Sequence, residues 1–180
     1  MQARHHHQPT EPDMTATQLS KELRTGHGGF LEERRGVIAL SLTAIGCMGL
    51  IALYQTGIIR RLPDLPLPLM DADKVDASDE AYAKLSMPDA FLGLGSYAAT
   101  MGLAAMGGKD RATEQPWIPL ALAAKAGVDA LQAGKLTYDQ WAKHKAFCVW
   151  CLIAAAATFA SVPLVMGEAA VAARQLAKKF

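Results

Sequence analysis

The chain is 180 residues long, 51% apolar and 19% charged, with a formal net charge of +1 at pH 7. That length suits one domain. The balanced charge leaves no electrostatic footprint for nucleic acid, so none is expected as a partner. Its 3 cysteines are too few for a secreted disulfide scaffold.

Residues 1–34 read as a polar N-terminal tail, with a short helix expected near 17–23. His5, His6 and His7 stand in a row there, and composition alone makes them a metal-binding tract or an added tag. Residues 36–59 form the first uncharged apolar run, and residues 90–108 and 146–167 form two more. A hydrocarbon core of ~30 Å takes about 20 apolar residues at 1.5 Å per residue, and each run is close to that length. The first run starts too deep in the chain for a signal peptide and is expected to remain as an anchor.

The stretch 60–88 connects the first two spans. Pro63, Pro66 and Pro68 favour extended backbone, because proline fixes φ and supplies no amide donor. Asp71, Asp73, Asp76, Asp79 and Glu80 make the stretch acidic. A calcium loop fails on spacing, since Val75 sits where a ligand is needed and Asp76 where the turn glycine belongs. A solvated acidic loop is expected instead, with a short helix capped by Ser78 lying on the membrane surface.

Residues 109–114 read as a polar turn. Residues 117–134 form a fourth span, apolar apart from Lys125, Asp129 and Gln132. Lys125 and Asp129 are four apart and share a helical face, so an ion pair inside the bundle is favoured over a proton relay. Tyr138, Trp141 and His144 suit a membrane interface. The last span is rich in alanine, which allows close helix approach, and Pro163 marks a kink or its lower third. The expected architecture is all-α and polytopic in the membrane. Residues 35–167 form a four-transmembrane-helix bundle with an extended loop between the first two helices, and 168–180 an amphipathic C-terminal tail. Basic residues such as Arg34, Arg35, Lys109 and Arg111 slightly outnumber those on the other side, such as Arg60, Arg61, Lys143 and Lys145. That bias places both termini in the cytoplasm.

Cys148-Val149-Trp150-Cys151 opens the last span, while Cys47 lies alone in the first. Two thiols three apart on a first helical turn can close a disulfide or exchange electrons. The free amides of a helix N-terminus favour negative charge on the first sulfur, which makes it the reactive one. Haem attachment needs His after Cys151, where Leu152 stands. His144, Cys148 and Cys151 share a face but lack a fourth ligand, so no metal is expected. A disulfide closing so small a loop stabilises little. Redox exchange fits best.

The residues around the pair extend this reading. His144-Lys-Ala-Phe-Cys-Val-Trp-Cys-Leu-Ile, the upstream Asp73-Lys74-Val75, and Pro88-Asp-Ala90-Phe-Leu-Gly93-Leu-Gly-Ser-Tyr97 together resemble the vitamin K epoxide reductase family, from Arg35 to about Met166. The resemblance implies a four-helix bundle around a quinone of the menaquinone or ubiquinone type, capped by the first loop, in the cytoplasmic (inner) membrane. Cys151 would meet the quinone and Cys148 would exchange with a partner thiol. Pro88, Ala90, Gly93, Tyr97, Phe147 and Trp150 would shape the pocket. Two positions depart from the family pattern. Ala72 stands where a loop cysteine relay is usual, and Ala155 where a tyrosine is frequent. Two functions follow: a membrane thiol–quinone oxidoreductase served by a separate thioredoxin-like protein, or a non-catalytic subunit of a larger membrane electron-transfer complex.

Overall fold

The computed structural model describes residues 15–83 and 85–178, so the His5–His7 tract lies outside the described residues. The chain forms helices α1 (Ala16–Thr25), α2 (Leu31–Gln55), α3 (Ala72–Asp76), α4 (Asp79–Tyr82), α5 (Asp89–Ala105), α6 (Arg111–Glu114), α7 (Trp117–Asp139) and α8 (Val149–Ala177). The described residues hold no strand, only one isolated parallel bridge between Met70 and Phe147.

The short helix expected near 17–23 is α1. Thr15 accepts from the Gln18 amide while the Gln18 side chain accepts from the Thr15 amide, a reciprocal cap that satisfies two otherwise unpaired donors. Arg35 then donates to the carbonyls of Leu23 and Gly26, which ties α1 to the start of α2.

The four long helices pack as a ring. α2 lies between α5 and α8, α7 packs on α8, and the α5–α7 seam is the least intimate. Small residues set the spacing. A Cβ on Gly93 would fall 2.8 Å from the Met48 sulfur, and one on Gly36 would fall 2.9 Å from Leu164. Small residues at these two positions let α5 and α8 lie close to α2, and a larger side chain would require Met48 or Leu164 to give way. Among the described residues, α2 and α8 are long and apolar enough to cross a membrane. α5 is shorter at 17 residues, and α7 carries Lys125, Asp129, Lys135 and Asp139. The outer faces of the ring present Leu42, Val128, Leu131, Phe159 and Met166 to the surroundings. A patch of that kind is costly in water and at ease in lipid.

One end of the ring is closed by buried charge. Arg111 is 0% exposed and Glu168 2%. They pair through two bonds of 2.7 and 2.6 Å, and Arg111 also donates to the carbonyls of Leu103 and Met106. Arg34, equally hidden, donates to five carbonyls from Ala104 to Gly108. The last turn of a helix leaves carbonyls unpaired and carries partial negative charge, so two guanidinium groups satisfy it chemically and electrostatically. Arg34 and Arg111, counted from sequence only among the charges on the cytoplasmic side, are thus buried at a helix end, and 109–114, read as a polar turn, includes α6. α8 continues unbroken past Gly167, which is what carries Glu168 to Arg111.

The acidic loop is likewise less solvated than its composition suggests. Asp64 accepts from the Ala72 amide at 2.6 Å, Asp73 from the Leu62 amide at 2.9 Å, and Asp71 caps α3. Asp76 is 4% exposed. Three prolines deprive the loop of amide donors, so aspartates supply the acceptors that fold the remaining amides inward.

Glu168→Ala should leave Arg111 buried beside one fewer anion. A loss of about 3–5 kcal/mol is expected, read as a lower thermal midpoint and poor folded yield in detergent. Combining Arg111→Met with Glu168→Leu should recover part of it, because no buried charge then remains unpaired at that spot.

Candidate functional site

The cysteine pair is held from three sides. α7 ends in a π-helical turn, Gln140–His144, and Lys145 follows with φ of 50°, in the left-handed region. The wide turn buries Gln140, whose Oε1 accepts from the Cys148 amide at 2.9 Å. The reversal at Lys145 sends 146–148 alongside the proline-rich loop. There the Phe147 amide donates to Leu69 and the Asp71 amide donates to Phe147, at 2.7 and 3.0 Å. Trp150 fastens the same loop by donating from Nε1 to the Pro63 carbonyl. The segment Leu69, Met70 and Asp71 is thus a strap across the residues that precede α8.

Cys148 is the N-cap of α8, and its sulfur accepts from the Cys151 amide at 3.2 Å. It is 0% exposed. Cys151, one turn on, is partly open and faces a cavity of about 250 Å³ inside the ring. Cys47, Cys148 and Cys151 are all free thiols. Cys47 packs among Ala44, Ala154 and Ala157, as a small hydrophobe would.

The cavity wall combines apolar side chains, Met48, Ile51 and Leu92, with the polar Ser96, Tyr97 and Gln132. Lys125 bonds both oxygens of Asp129 at 2.9 and 2.6 Å, and Ser96 and Thr100 add their hydroxyls to the same carboxylate. The expected intrahelical pair is therefore present, and it anchors α7 to α5 below the cavity. The Tyr97 hydroxyl meets Thr158 of α8 at 2.9 Å. Ala155 borders the cavity directly, so the small side chain at that position adds to its width.

Of the residues singled out from sequence, Cys151, Gly93 and Tyr97 line the cavity. Pro88 caps α5 from outside, and Ala90 is buried with its amide on Gln55. Phe147 pairs with the strap and Trp150 holds the loop. Cys148 stands behind Cys151, beneath the strap. Ala72, at the position of the missing loop cysteine, is 1% exposed and shares one apolar cluster with Cys148.

Sequence reasoning passed over Asp76. Its Oδ1 lies 3.5 Å from the Cys151 sulfur, and a carboxylate oxygen and both sulfurs all lie within 4.8 Å of one another. Oδ2 is buried with no hydrogen-bond partner among the described residues. Burial pushes this carboxyl up to about 6, the nearby Asp89 charge adds to the rise, and the thiol contacts oppose it. A carboxylate and two thiols are one ligand short of a closed tetrahedral site, and His144, which the sequence placed on one face with the two cysteines, is not among them. No sequence signal marked Asp76, one aspartate among several in a loop. Its importance comes from Gln55, which donates to the Asp76 carbonyl and to Asp89 and so sets α3 over the cavity mouth.

Two consequences can be measured. Asp129→Ala should reduce folded yield by stranding Lys125, and adding Lys125→Ala should partly restore it; additive losses would argue against the pair. For Asp76, the folded chain holds the proton more tightly than the unfolded one. The group therefore favours folding at low pH, and that contribution is lost as pH rises through about 6. Asp76→Asn should accordingly raise the thermal midpoint by several degrees above pH 7, with the gain shrinking toward pH 4.

The model of the vitamin K epoxide reductase family matches residues 36–166 of the chain. A search among curated proteins gives no match. The matched span contains α2 from Gly36 on, all of α5 and α7, the cap, and α8 through the cysteine pair to Met166. The chain belongs to the vitamin K epoxide reductase family.

Proposed function

We propose that this protein is a membrane thiol–quinone oxidoreductase in which Cys148 and Cys151 collect two electrons from the thiols of another protein and deliver them to a quinone bound as substrate. One observation carries this reading: the Cys151 sulfur opens into a cavity within an apolar ring while its partner sulfur sits at the capped start of the same helix. The cavity suits a quinone head group. Met48, Ile51 and Leu92 offer apolar walls, and Tyr97, Ser96 and Gln132 offer polar atoms for its oxygens. Thiol exchange leaves the pair oxidised, and closing the cycle transfers two electrons and two protons to the acceptor.

In this reading α2, α5, α7 and α8 all cross the inner membrane. The cap faces the oxidising side and both termini face the cytoplasm. Support comes from the lipid-like exterior of the ring and from the placement of the thiol pair at the capped end. Electrons come from a thioredoxin-like protein, because 60–88 holds no cysteine to relay them. That donor must lift the strap at 69–71 to touch Cys148. The full burial of Cys148 also favours a second reading, a non-catalytic subunit of a larger membrane complex in which the strap stays closed.

Trapping separates the two. Cys151→Ala should accumulate a mixed disulfide between Cys148 and the donor on a non-reducing gel, and Cys148→Ala should not. The purified protein, given a reduced thioredoxin-like donor, should bleach added menaquinone or ubiquinone. No capture and no turnover, with stoichiometric co-purification in a large complex, would establish the subunit.

A further inference from the structure

We propose that Asp76 is the acid–base group of the cysteine pair: it protonates the sulfur expelled when the Cys148–Cys151 disulfide opens, and it accepts the thiol protons as the pair closes again. The inference rests on the redox reading above and assigns the proton path that reading leaves open.

Geometry comes first. Asp76 is 4% exposed, and its Oδ1 lies 3.5 Å from the Cys151 sulfur. The carboxylate and both sulfurs fit within 4.8 Å, so the group can serve whichever sulfur leaves. Its second oxygen has no partner among the described residues, although both Asp76 and Cys151 border the cavity. A buried carboxylate left half-satisfied is costly, and nothing in the packing requires one. It shares the cavity wall with Met48, Ile51 and Leu92, beside which an apolar or amide side chain would rest more easily. The backbone nevertheless aims it, because Gln55 fixes the Asp76 carbonyl at 3.1 Å.

Chemistry supplies the need. Cys148 has no exposed surface, so its sulfur cannot trade protons freely with water. When an incoming thiolate attacks one sulfur, a new S–S bond forms, the old one breaks, and the other sulfur leaves as a thiolate. The Asp76 carboxyl gives it a proton and becomes a carboxylate. A second thiolate from the donor then attacks the mixed disulfide. The sulfur it expels takes a proton from Asp76, reprotonated through the cavity by the protons the donor thiols have lost. Two thiols are left here and a disulfide on the donor. On reoxidation the two thiols lose two electrons and two protons. Asp76 takes the protons one at a time and passes them into the cavity, where the quinone substrate receives both electrons and both protons. The charged and titratable groups that face Asp76 include Asp73 on its own helix, Tyr54 of α2, Asp89 of α5, Glu80 of α4 across the cavity, and the thiols of Cys148 and Cys151 at the start of α8. This acidic company favours a carboxyl that regains its proton between steps.

The test uses the full chain in detergent with Cys47→Ala as background and dithiothreitol as the incoming dithiol. Dithiothreitol is uncharged at neutral pH and small enough to approach through the cavity. Opening of the disulfide is followed by Trp150 fluorescence from pH 5 to 9. Asp76→Asn is expected to slow opening at pH 7 by about 100-fold, the lower end of what a positioned proton donor contributes. It should also remove the inflection near pH 6, and Asp76→Glu should restore most of the rate. A merely electrostatic or structural carboxylate predicts the opposite sign, because removing a negative charge speeds the approach of a thiolate. Opening by Asp76→Asn at or above the parent rate would therefore overturn the proposal, as would stoichiometric zinc bound at Asp76, Cys148 and Cys151. The raised thermal midpoint expected for Asp76→Asn confirms that a slow variant is folded. If the parent protein never reduces quinone, the redox reading fails while this measurement still stands on its own.

Discussion

Two buried arginines and one glutamate hold the ring together at its closed end. Arg111 and Glu168 are joined by paired bonds, and both Arg111 and Arg34 reach the carbonyls where α5 stops. Because Arg34 belongs to α2 and Glu168 to α8, this knot fixes three helices at one level. It also turns the chain from α5 into α7 across 106–116, by way of α6. The position of α5 matters at the other end, since Gly93, Ser96 and Tyr97 are wall residues of the cavity. A charged cluster far from the thiols thus sets the width of the space in front of them. Its arginines are buried with a carboxylate and helix-end carbonyls as partners, which is the condition under which buried charge is tolerated.

At the open end the fixing is lighter, by hydrogen bonds and by one apolar cluster that includes Leu62, Ala72, Val75, Ala90 and Cys148. Gln55 links the end of α2 to α3 and to the start of α5, and Gln140 holds the start of α8. The loop 60–71 is pinned by Asp64, Asp73, Trp150 and two strap bonds. Each such bond contributes about 0.5–1.5 kcal/mol. In the proposed reading this cap is the part that moves to give a donor access to Cys148.

Much of this was legible in the sequence, and the divide is physical. The thiol pair was readable because three-residue spacing on a first helical turn has its own chemistry. Lys125 and Asp129 were readable because four-residue spacing puts them on one face. The all-helical class was readable from uncharged runs, although α2 and α8 alone are long and apolar enough to cross by themselves. What stayed hidden depends on distant partners. Arg111 and Glu168 are 57 positions apart, and no local pattern distinguishes them from surface charges. Asp76 looked like its solvated neighbours because only the fold brings it to Cys151. The π turn at Gln140–His144 was read as an interfacial helix end, since one extra residue per turn leaves no mark in composition.

The cavity has an electrostatic character that follows from its wall. Asp76, Glu80, Asp89 and Asp129 all border it, and Lys125 offsets the last of these. A confined space with that surplus repels anions, and the repulsion grows as water is excluded. Small cellular thiols that carry carboxylates are thereby discouraged from entering, while an uncharged ring meets no such barrier. The wall also penalises any bound product that keeps a negative charge, so an acceptor leaves most readily once fully neutralised. In the proposed redox reading, electron transfer at this site would be tied to proton transfer by the charge of the chamber itself. Incompletely reduced species would be disfavoured there, whatever donor lay on the other side of the strap.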